Sequence, residues 1–167
     1  MWFEKISFEQ WHKDLPQNGV DELTARRWYE GIKLPKQATP SSAGMDISIP
    51  YNLTIPAGGR AKIATGIRWV CSEEYRGFFC LMIYPRSSMG KIGFELQNTV
   101  AIVDADYSDA DNEGHIWLMV KNTSDDEIIL PAGQNIAQGV LTGYAICTGA
   151  EADPESGRTG GIGSTDK

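Results

Sequence analysis

The chain of 167 residues is long enough for one domain with a buried core and too short for two ordinary domains. Its 22 acidic residues outnumber its 15 basic residues, and the net charge of −7 argues against nucleic-acid or anionic-membrane binding. No apolar run predicts a transmembrane helix, and the first residues lack the pattern of a signal peptide. The three cysteines are widely spaced and there are only two histidines, so we expect reduced thiols, no structural zinc and a cytosolic protein.

Residues 1–31 are predicted to form a short helical N-terminal extension. Ser7 is a suitable N-cap for a first helix that ends before Pro16. A second helix is predicted after Asp21, because acidic residues come first and basic residues last, as the helix dipole favours. Gly31 would end that helix. The aromatic residues of the extension are expected to pack on the rest of the domain, and the extension is not expected to take part in chemistry.

Residues 32–147 are predicted to form an all-β domain. Short apolar segments alternate there with turns of Gly, Pro, Asn and Asp, which is typical of a β-barrel or jelly roll. Two similar Pro-Ala-Gly turns, at residues 56–59 and 131–134, each lead into a new strand. The predicted strands cover residues 45–49, 53–55, 61–64, 67–71, 77–84, 100–103, 115–121, 127–130 and 135–147.

Two further segments lack a strand pattern. Residues 148–167 are rich in Gly, Ser and Thr and predict a flexible C-terminal tail. Residues 108–114 are acidic and polar and predict an exposed loop. Their spacing does not fit an EF-hand, so a solvated loop is favoured over a metal site.

One stretch in the middle of the chain carries the strongest indication of chemistry. Arg86, Ser87, Ser88 and Gly90 offer a guanidinium, hydroxyls and accessible backbone N–H groups that can surround an oxyanion. Asp104 places a carboxylate directly after an apolar run. A phosphate-binding segment beside one carboxylate is the minimum needed for attack by water on a phosphate ester.

Other blocks extend this inventory. They lie at residues 43–46 (Ala-Gly-Met-Asp), 98–107, 133–138 and 158–165. Each block alone has an ordinary structural explanation, such as a turn cap, a surface ion pair or a flexible end. Together they supply two arginines, several hydroxyls and several carboxylates, which suit a polyphosphate, the surroundings of a metal ion and a water.

In this order and spacing, the five blocks resemble the motifs of the trimeric dUTP pyrophosphatase (dUTPase) family, whose phage type is one candidate. The resemblance covers about residues 32–167, and its most specific parts are Pro-Arg-Ser-Ser at 85–88 and Val-Asp-Ala-Asp-Tyr at 103–107. It implies a β jelly roll, a homotrimer, and hydrolysis of dUTP to dUMP and pyrophosphate with Mg²⁺. Each site would combine motifs from three subunits, with the tail of residues 148–167 closing over a neighbour's nucleotide.

The resemblance also implies roles for individual residues. Asp104 would orient and deprotonate the attacking water. Asn98 would read the uracil edge, and Tyr107 would lie under the deoxyribose and leave no space for a 2′-hydroxyl. The other residues implied for uracil or deoxyribose are Ala101, Val103 and Ile162. Those implied for the phosphates are Arg86, Ser87, Ser88, Gln138, Arg158, Gly163, Ser164 and Thr165.

The resemblance implies that Mg²⁺ is held mainly by the substrate phosphates and water, with Asp46 supporting the site indirectly. The chain departs from the family pattern at Ile162, where an aromatic residue normally stacks over uracil, and at Ala101, where glycine is usual. These departures concern the closing tail and the uracil hairpin. They leave Asp104 and Tyr107 intact.

Two other functions stay open at this point. One is a dCTP deaminase, which shares the fold and a similar Arg-Ser-Ser block; here Met119 occupies the position of the Glu that serves deamination. The other is a nucleotide-responsive regulatory protein on the same scaffold, since a fold alone does not fix function. In that case the N-terminal extension or the 108–114 loop would contact a protein partner.

Overall fold

A computed structural model of the protein describes residues 1–16 and 19–149, which are mostly β. The helices in these ranges are α1 (Phe8–Asp14), α2 (Glu22–Glu30) and α3 (Ser87–Gly90). The strands are β1 (Trp2–Lys5), β2 (Lys36–Gln37), β3 (Gly44–Ser48), β4 (Leu53–Ile55), β5 (Arg60–Ala64), β6 (Ile67–Val70), β7 (Phe79–Pro85), β8 (Phe94–Leu96), β9 (Ala101–Val103), β10 (Trp117–Asn122), β11 (Ile128–Leu130) and β12 (Asn135–Gly143).

The strands form antiparallel sheets. The largest has the order β2-β3-β12-β7-β9, a second has the order β5-β10-β8, and β4–β11 and β1–β6 are separate pairs. Every strand predicted from the sequence is present, with ends shifted by a few residues. The predicted all-β fold is therefore confirmed, whereas the short strands β1, β2 and β8 were not foreseen.

The core lies between these sheets and consists mainly of aliphatic side chains. Strand β10 shows how the alternating strand pattern divides its residues between two environments. Leu118 and Val120 are fully buried in the core. Trp117 and Met119, on the other face of β10, are only half-buried and line a cavity.

The N-terminal extension contains both predicted helices. The Ser7 hydroxyl accepts a hydrogen bond from the backbone N–H of Gln10 at 3.1 Å, and Asp21 caps α2 by accepting from Thr24 N at 2.9 Å. Strand β1 precedes these helices and pairs with β6, so this region is partly β. Trp11 is fully buried and donates from its indole N–H to the carbonyl of Ala25 at 3.3 Å.

The acidic segment 108–114 was predicted to be an exposed loop, and this is only partly correct: it forms turns in which Asp109 and Asp111 are exposed, but other residues are not. Ser108, Ala110 and Gly114 are buried. The Glu113 carboxylate accepts hydrogen bonds from the backbone N–H and the hydroxyl of Ser7 at 2.7 and 2.5 Å. Two of the carboxylates that suggested a solvated loop, Asp109 and Glu113, bind groups elsewhere in the chain.

The cysteines and the helices bear on two predictions made from composition. Cys71 and Cys80 are buried free thiols, as expected. Between residues 1 and 149, leaving out 17 and 18, no helix is long and apolar enough to cross a membrane.

Candidate active site

A cavity of about 460 Å³ is lined by the connection between β8 and β9, by β9 and the turn that follows it, and by strand β10. Five of the residues predicted for the site line it together, and five other residues complete its wall. The predicted residues are Asn98, Ala101, Val103, Asp104 and Tyr107. The additional residues are Gln97, Ile102, Ile116, Trp117 and Met119.

The connection between β8 and β9, which carries Asn98, has a tight and unusual backbone. Thr99 has a φ of 63°, a left-handed conformation that a β-branched residue rarely adopts. The carbonyl of Asn98 accepts a hydrogen bond from Val100 N at 2.6 Å, and Gln97 N donates to the carbonyl of Met119 at 2.8 Å. The start of this connection is therefore attached to β10.

Strand β9 is the last strand of its sheet, paired on one side with β7. In the described part of the chain, no strand pairs with its other side. An unpaired strand edge presents backbone N–H and C=O groups to a partner. This edge is suited to bind the polar edge of a flat heterocycle.

Tyr107 forms part of the cavity wall and is held in place by its hydroxyl. The phenol O–H donates to the carbonyl of His115 at 2.8 Å, and it accepts from the side-chain amide of Asn112 at 2.9 Å. The residue is 8% exposed, so the ring has little freedom to move. A ring fixed in this way gives the cavity a rigid surface.

Asp104 lies at the cavity with an exposed side chain, directly after β9. Its backbone carbonyl accepts a hydrogen bond from Tyr107 N at 3.1 Å, so both residues belong to one turn. Burial, followed by the nearby charge of Asp104, raises the pKa of Cys80 and of Tyr144. The carboxylate therefore contributes negative potential to this end of β7 and β12.

A second cluster of predicted residues lies at the other end of β7. Arg86 Nε is 3.2 Å from Oδ1 of Asp46, and the Asn135 amide donates to Oδ2 of the same carboxylate at 3.1 Å. Gln138 is opposite Asp46 in the β3–β12 register. A Cβ at Gly44 would collide with the side-chain oxygen of Gln138, so the glycine allows this side chain to lie directly against β3.

The two serines of the Arg-Ser-Ser block follow directly. Ser87 and Ser88 begin the short helix α3 and are exposed, and Arg86 N is fixed by the carbonyl of Ile136 at 3.1 Å. Asp46 thus aligns the guanidinium of the residue that directly precedes two exposed serines. The cluster can bind an anion such as phosphate.

The two groups of residues do not share a cavity within one chain. The residues predicted to bind the phosphates, or to support that binding, do not line the cavity in the described part of the chain. They are Asp46, Arg86, Ser87, Ser88 and Gln138. The remaining predicted site residues, Arg158, Ile162, Gly163, Ser164 and Thr165, lie outside the described residues, as do positions 150–167 of the predicted tail. Within the described part of one chain, the structure brings together the base and sugar residues but keeps them apart from Arg86.

Sequence reasoning missed Trp117 and Ile116 as parts of the cavity wall. The alternation of β10 would have placed Trp117 and Met119 on one face, but it does not say what that face contacts. In the structure the ammonium of Lys62 lies 3.5 Å from the centroid of the Trp117 ring. Met119 lines the cavity at the position where a deaminase would need a proton-transferring Glu.

The side chains near the cavity also bear on whether a metal ion can bind there. In residues 1–16 and 19–149 there is no cluster of three or more His, Cys, Asp or Glu side chains able to hold one. Mg²⁺ is commonly bound by one or two carboxylates, substrate phosphates and water rather than by a protein cage. The residues present, with the Asp104 carboxylate beside the cavity, fit binding through a carboxylate, substrate phosphates and water.

Comparisons with known proteins agree with these features. A family model described as dUTPase matches residues 30–165. The deoxyuridine 5′-triphosphate nucleotidohydrolase of Lactococcus lactis is 36% identical over 147 residues, covering 86% of this chain and 95% of the relative. That of Wolinella succinogenes is 33% identical over 138 residues, covering 80% and 87%. The dUTPase of Streptococcus mutans has a similar crystal structure, with a TM-score of 0.67 and 29% identity over 89% of this chain and all of that one.

The matching family model and the curated relatives are those of nucleotide hydrolases. The chain belongs to the dUTPase family. The resemblance seen in the sequence and the prediction of a dUTP diphosphatase are confirmed.

Proposed function

We propose that the protein hydrolyses dUTP to dUMP and pyrophosphate as a homotrimer, in sites that combine the cavity of one copy with the Arg86 cluster of another. The observation that carries this proposal is the separation of the two groups within a chain. The lining of the cavity contains no Lys or Arg, whereas a triphosphate needs cationic partners. Arg86 lies outside that lining, so a neighbouring copy is the source of the cations.

The base and the sugar would occupy the cavity. The unpaired edge of β9 and the side chain of Asn98 offer hydrogen-bonding groups for the uracil edge. The ring of Tyr107, held by His115 and Asn112, would lie against the deoxyribose and exclude a 2′-hydroxyl by its rigidity. To reject an added hydroxyl in this way, the side chain that contacts the sugar must not move aside.

Asp104 would act as the general base. Its carboxylate accepts a proton from a water as the water oxygen forms a bond to the α-phosphorus. The bond from the α-phosphorus to the bridging oxygen breaks on the opposite side, and pyrophosphate leaves with the electron pair. A carboxylate needs to be within hydrogen-bond reach of that water, and the exposed position of Asp104 beside the cavity permits this.

The phosphates would be bound by Arg86, Ser87 and Ser88, with Asp46 keeping the guanidinium in place and Gln138 nearby. Arg158, Ser164 and Thr165 of the tail are proposed to bind the terminal phosphates over a neighbouring site. Mg²⁺ supplies further charge neutralisation for the departing pyrophosphate. These contacts strengthen when water is excluded from the site.

Product analysis tests the reaction. The protein is incubated with Mg²⁺ and, separately, dUTP, dCTP, dTTP or UTP, and the products are identified by chromatography. We expect dUMP and pyrophosphate from dUTP alone. Formation of dUTP from dCTP would instead indicate a deaminase, and an unchanged dUTP solution would overturn the proposal.

Complementation between inactive copies tests the shared site. Arg86→Ala and Asp104→Asn chains are expressed separately and then together. In a mixed trimer, the Arg86→Ala chain still supplies Asp104 and the Asp104→Asn chain still supplies Arg86. We therefore expect the co-expressed protein to recover activity that neither variant has alone. No recovery in verified mixed trimers would show that both residues act from the same chain.

A further inference from the structure

The position of Tyr107 depends on the segment that follows it in the chain. Its hydroxyl is bound by the carbonyl of His115 and by the Asn112 amide, at 2.8 and 2.9 Å. Both partners belong to the turn between Tyr107 and strand β10. Any displacement of that turn therefore moves the cavity wall.

This turn has a strained backbone that requires external support. Glu113 has a φ of 59°, in the left-handed region that few residues other than glycine adopt. Gly114 follows with a φ of 71°, and a Cβ there would lie 2.7 Å from the carbonyl oxygen of Tyr107. Such conformations persist only where neighbouring groups hold them.

Two of the side chains that hold this turn come from the N-terminal extension. Ser7 donates two hydrogen bonds to the Glu113 carboxylate through its backbone N–H and its hydroxyl. Asp14, at the end of α1, is 2.7 Å from Nδ1 of His115 through its Oδ2 atom. Both ends of α1 are thus attached to the turn that holds Tyr107.

The tautomer of His115 is fixed by its second partner. Gly66 N–H donates to Nε2 at 2.9 Å, so Nε2 is an acceptor and Nδ1 carries the proton that is donated to Asp14. The His115 side chain is completely buried. Removing the Asp14 carboxylate would leave a buried N–H without its partner, which is costly enough to shift the ring.

We infer that α1 of the N-terminal extension is a positioning element of the active site, which holds the deoxyribose-facing wall through Asp14–His115 and Ser7–Glu113. This inference rests on the proposed function for the role of Tyr107. It replaces the expectation that the extension takes no part in the chemistry. Asp14 and Ser7 act through the turn and do not touch the substrate.

Kinetic discrimination between sugars tests this role. Asp14→Ala is compared with Glu9→Ala, which removes an exposed carboxylate from the same helix. We expect Asp14→Ala to lower kcat/KM for dUTP by about ten-fold, as a small misplacement at the reacting geometry can do. The kcat/KM for UTP should fall less, so that the dUTP-to-UTP ratio decreases. Glu9→Ala should keep both values, and Asp14→Asn, which retains an acceptor oxygen, should restore most of the ratio.

Hydrogen–deuterium exchange of the substrate-free protein separates this inference from the proposed reaction. Exchange of amides 107–116 should increase in Asp14→Ala and in Ser7→Ala and stay unchanged in Glu9→Ala, whatever the protein hydrolyses. If Asp14→Ala does not fold, Ser7→Ala carries both measurements. Unchanged exchange in this segment, or an equal loss of kcat/KM for dUTP and UTP, would overturn the positioning role.

Discussion

The guanidinium of Arg86 is bound by the carboxylate of Asp46, with Nε 3.2 Å from Oδ1, although Arg86 directly follows β7 and Asp46 lies on β3, and these two strands are not neighbours. Strand β12 lies between them and contributes Asn135, which binds the other oxygen of Asp46. Three strands therefore converge on one arginine. This arrangement orients the cation before any phosphate arrives.

Substitution of this arginine should weaken the reaction more than substitution of an exposed one. We expect Arg86→Ala to lower kcat/KM for dUTP by about 100-fold, because a preorganised cation at developing phosphate charge is lost. Asp46→Asn should cause a smaller loss, since Arg86 is kept but no longer aligned by a charge. Steady-state kinetics measure both, and Arg60→Ala, on the exposed part of β5, is the control and should keep its activity. Equal activity of Arg86→Ala and Arg60→Ala would exclude the phosphate-binding role.

Asp104→Asn should reduce kcat on the order of 10³-fold, because the amide cannot accept the proton of the attacking water. Binding of dUTP should change little, which titration calorimetry with the inactive variant can measure. Asp111→Asn, in the exposed part of the following turn, is the matched control. Near-normal turnover by Asp104→Asn would assign the base to another group.

The buried histidine predicts how stability depends on pH. Burial lowers the pKa of His115, against the opposing effect of Asp14. The unfolded chain then takes up a proton on this imidazole at a higher pH than the folded chain does. Its contribution to stability is therefore complete above about pH 6.5 and is lost as the pH falls toward the lower folded pKa.

Urea unfolding at pH 7.5 and pH 5.5 measures this effect. The wild type should lose stability at the lower pH, and His115→Gln should lose less between the two values. His12→Gln removes the exposed histidine of α1 and should keep the wild-type difference. The pKa of Asp14 is lowered on balance, by hydrogen bonds from His115 and Gln10 that outweigh its burial. Its own contribution is lost only toward pH 4 and below, outside the compared range.

Two glycines with similar backbone angles should respond differently to alanine. Gly77 has a φ of 82° and open space around its Cα, so Gly77→Ala should cost only about 1 kcal/mol of backbone strain. Gly114 has a φ of 71°, and an added Cβ would lie 2.6 Å from Ser108 Cα. Gly114→Ala should therefore cost roughly 2–3 kcal/mol in unfolding free energy, because overpacking adds to strain. It should also lower activity with dUTP, which Gly77→Ala should not.

Removal of the C-terminal tail tests the part of the site that lies outside the described residues. Truncation after Ala152 should strongly lower kcat for dUTP while the trimer persists, because closure over the phosphates is lost. Size-exclusion chromatography with light scattering checks the assembly. An unchanged kcat in the truncated trimer would refute the closing role.

The sequence predicted the strands well because their apolar segments are separated by strong turn residues. Strands β1, β2 and β8 were missed since they are short and their pairing partners lie far away in the chain. The partial burial of the acidic segment 108–114 was missed because local composition carries no information about Ser7, which is over 100 residues distant and binds Glu113.

The candidate site was predicted in pieces. The block around Asp104 and the block around Arg86 were each visible as a local pattern. In the structure the first block lines a cavity, and the arginine of the second is bound by Asp46. The link from Asp14 to His115 was not visible, because a single Asp on a helix surface is usually solvated. Asp14 differs because its carboxylate binds the buried ring of His115.

Strand β1 has a practical consequence for recombinant work. The family match begins at residue 30, so a version of the protein trimmed to that boundary would lack the strand that pairs with Ile67–Val70. The backbone N–H and C=O groups of β6 would then be unpaired and able to pair with β6 of another molecule. We therefore expect self-association during purification. A solubility tag placed ahead of Met1 keeps β1, so β6 stays paired. A version trimmed to residue 30 loses β1 and leaves β6 unpaired.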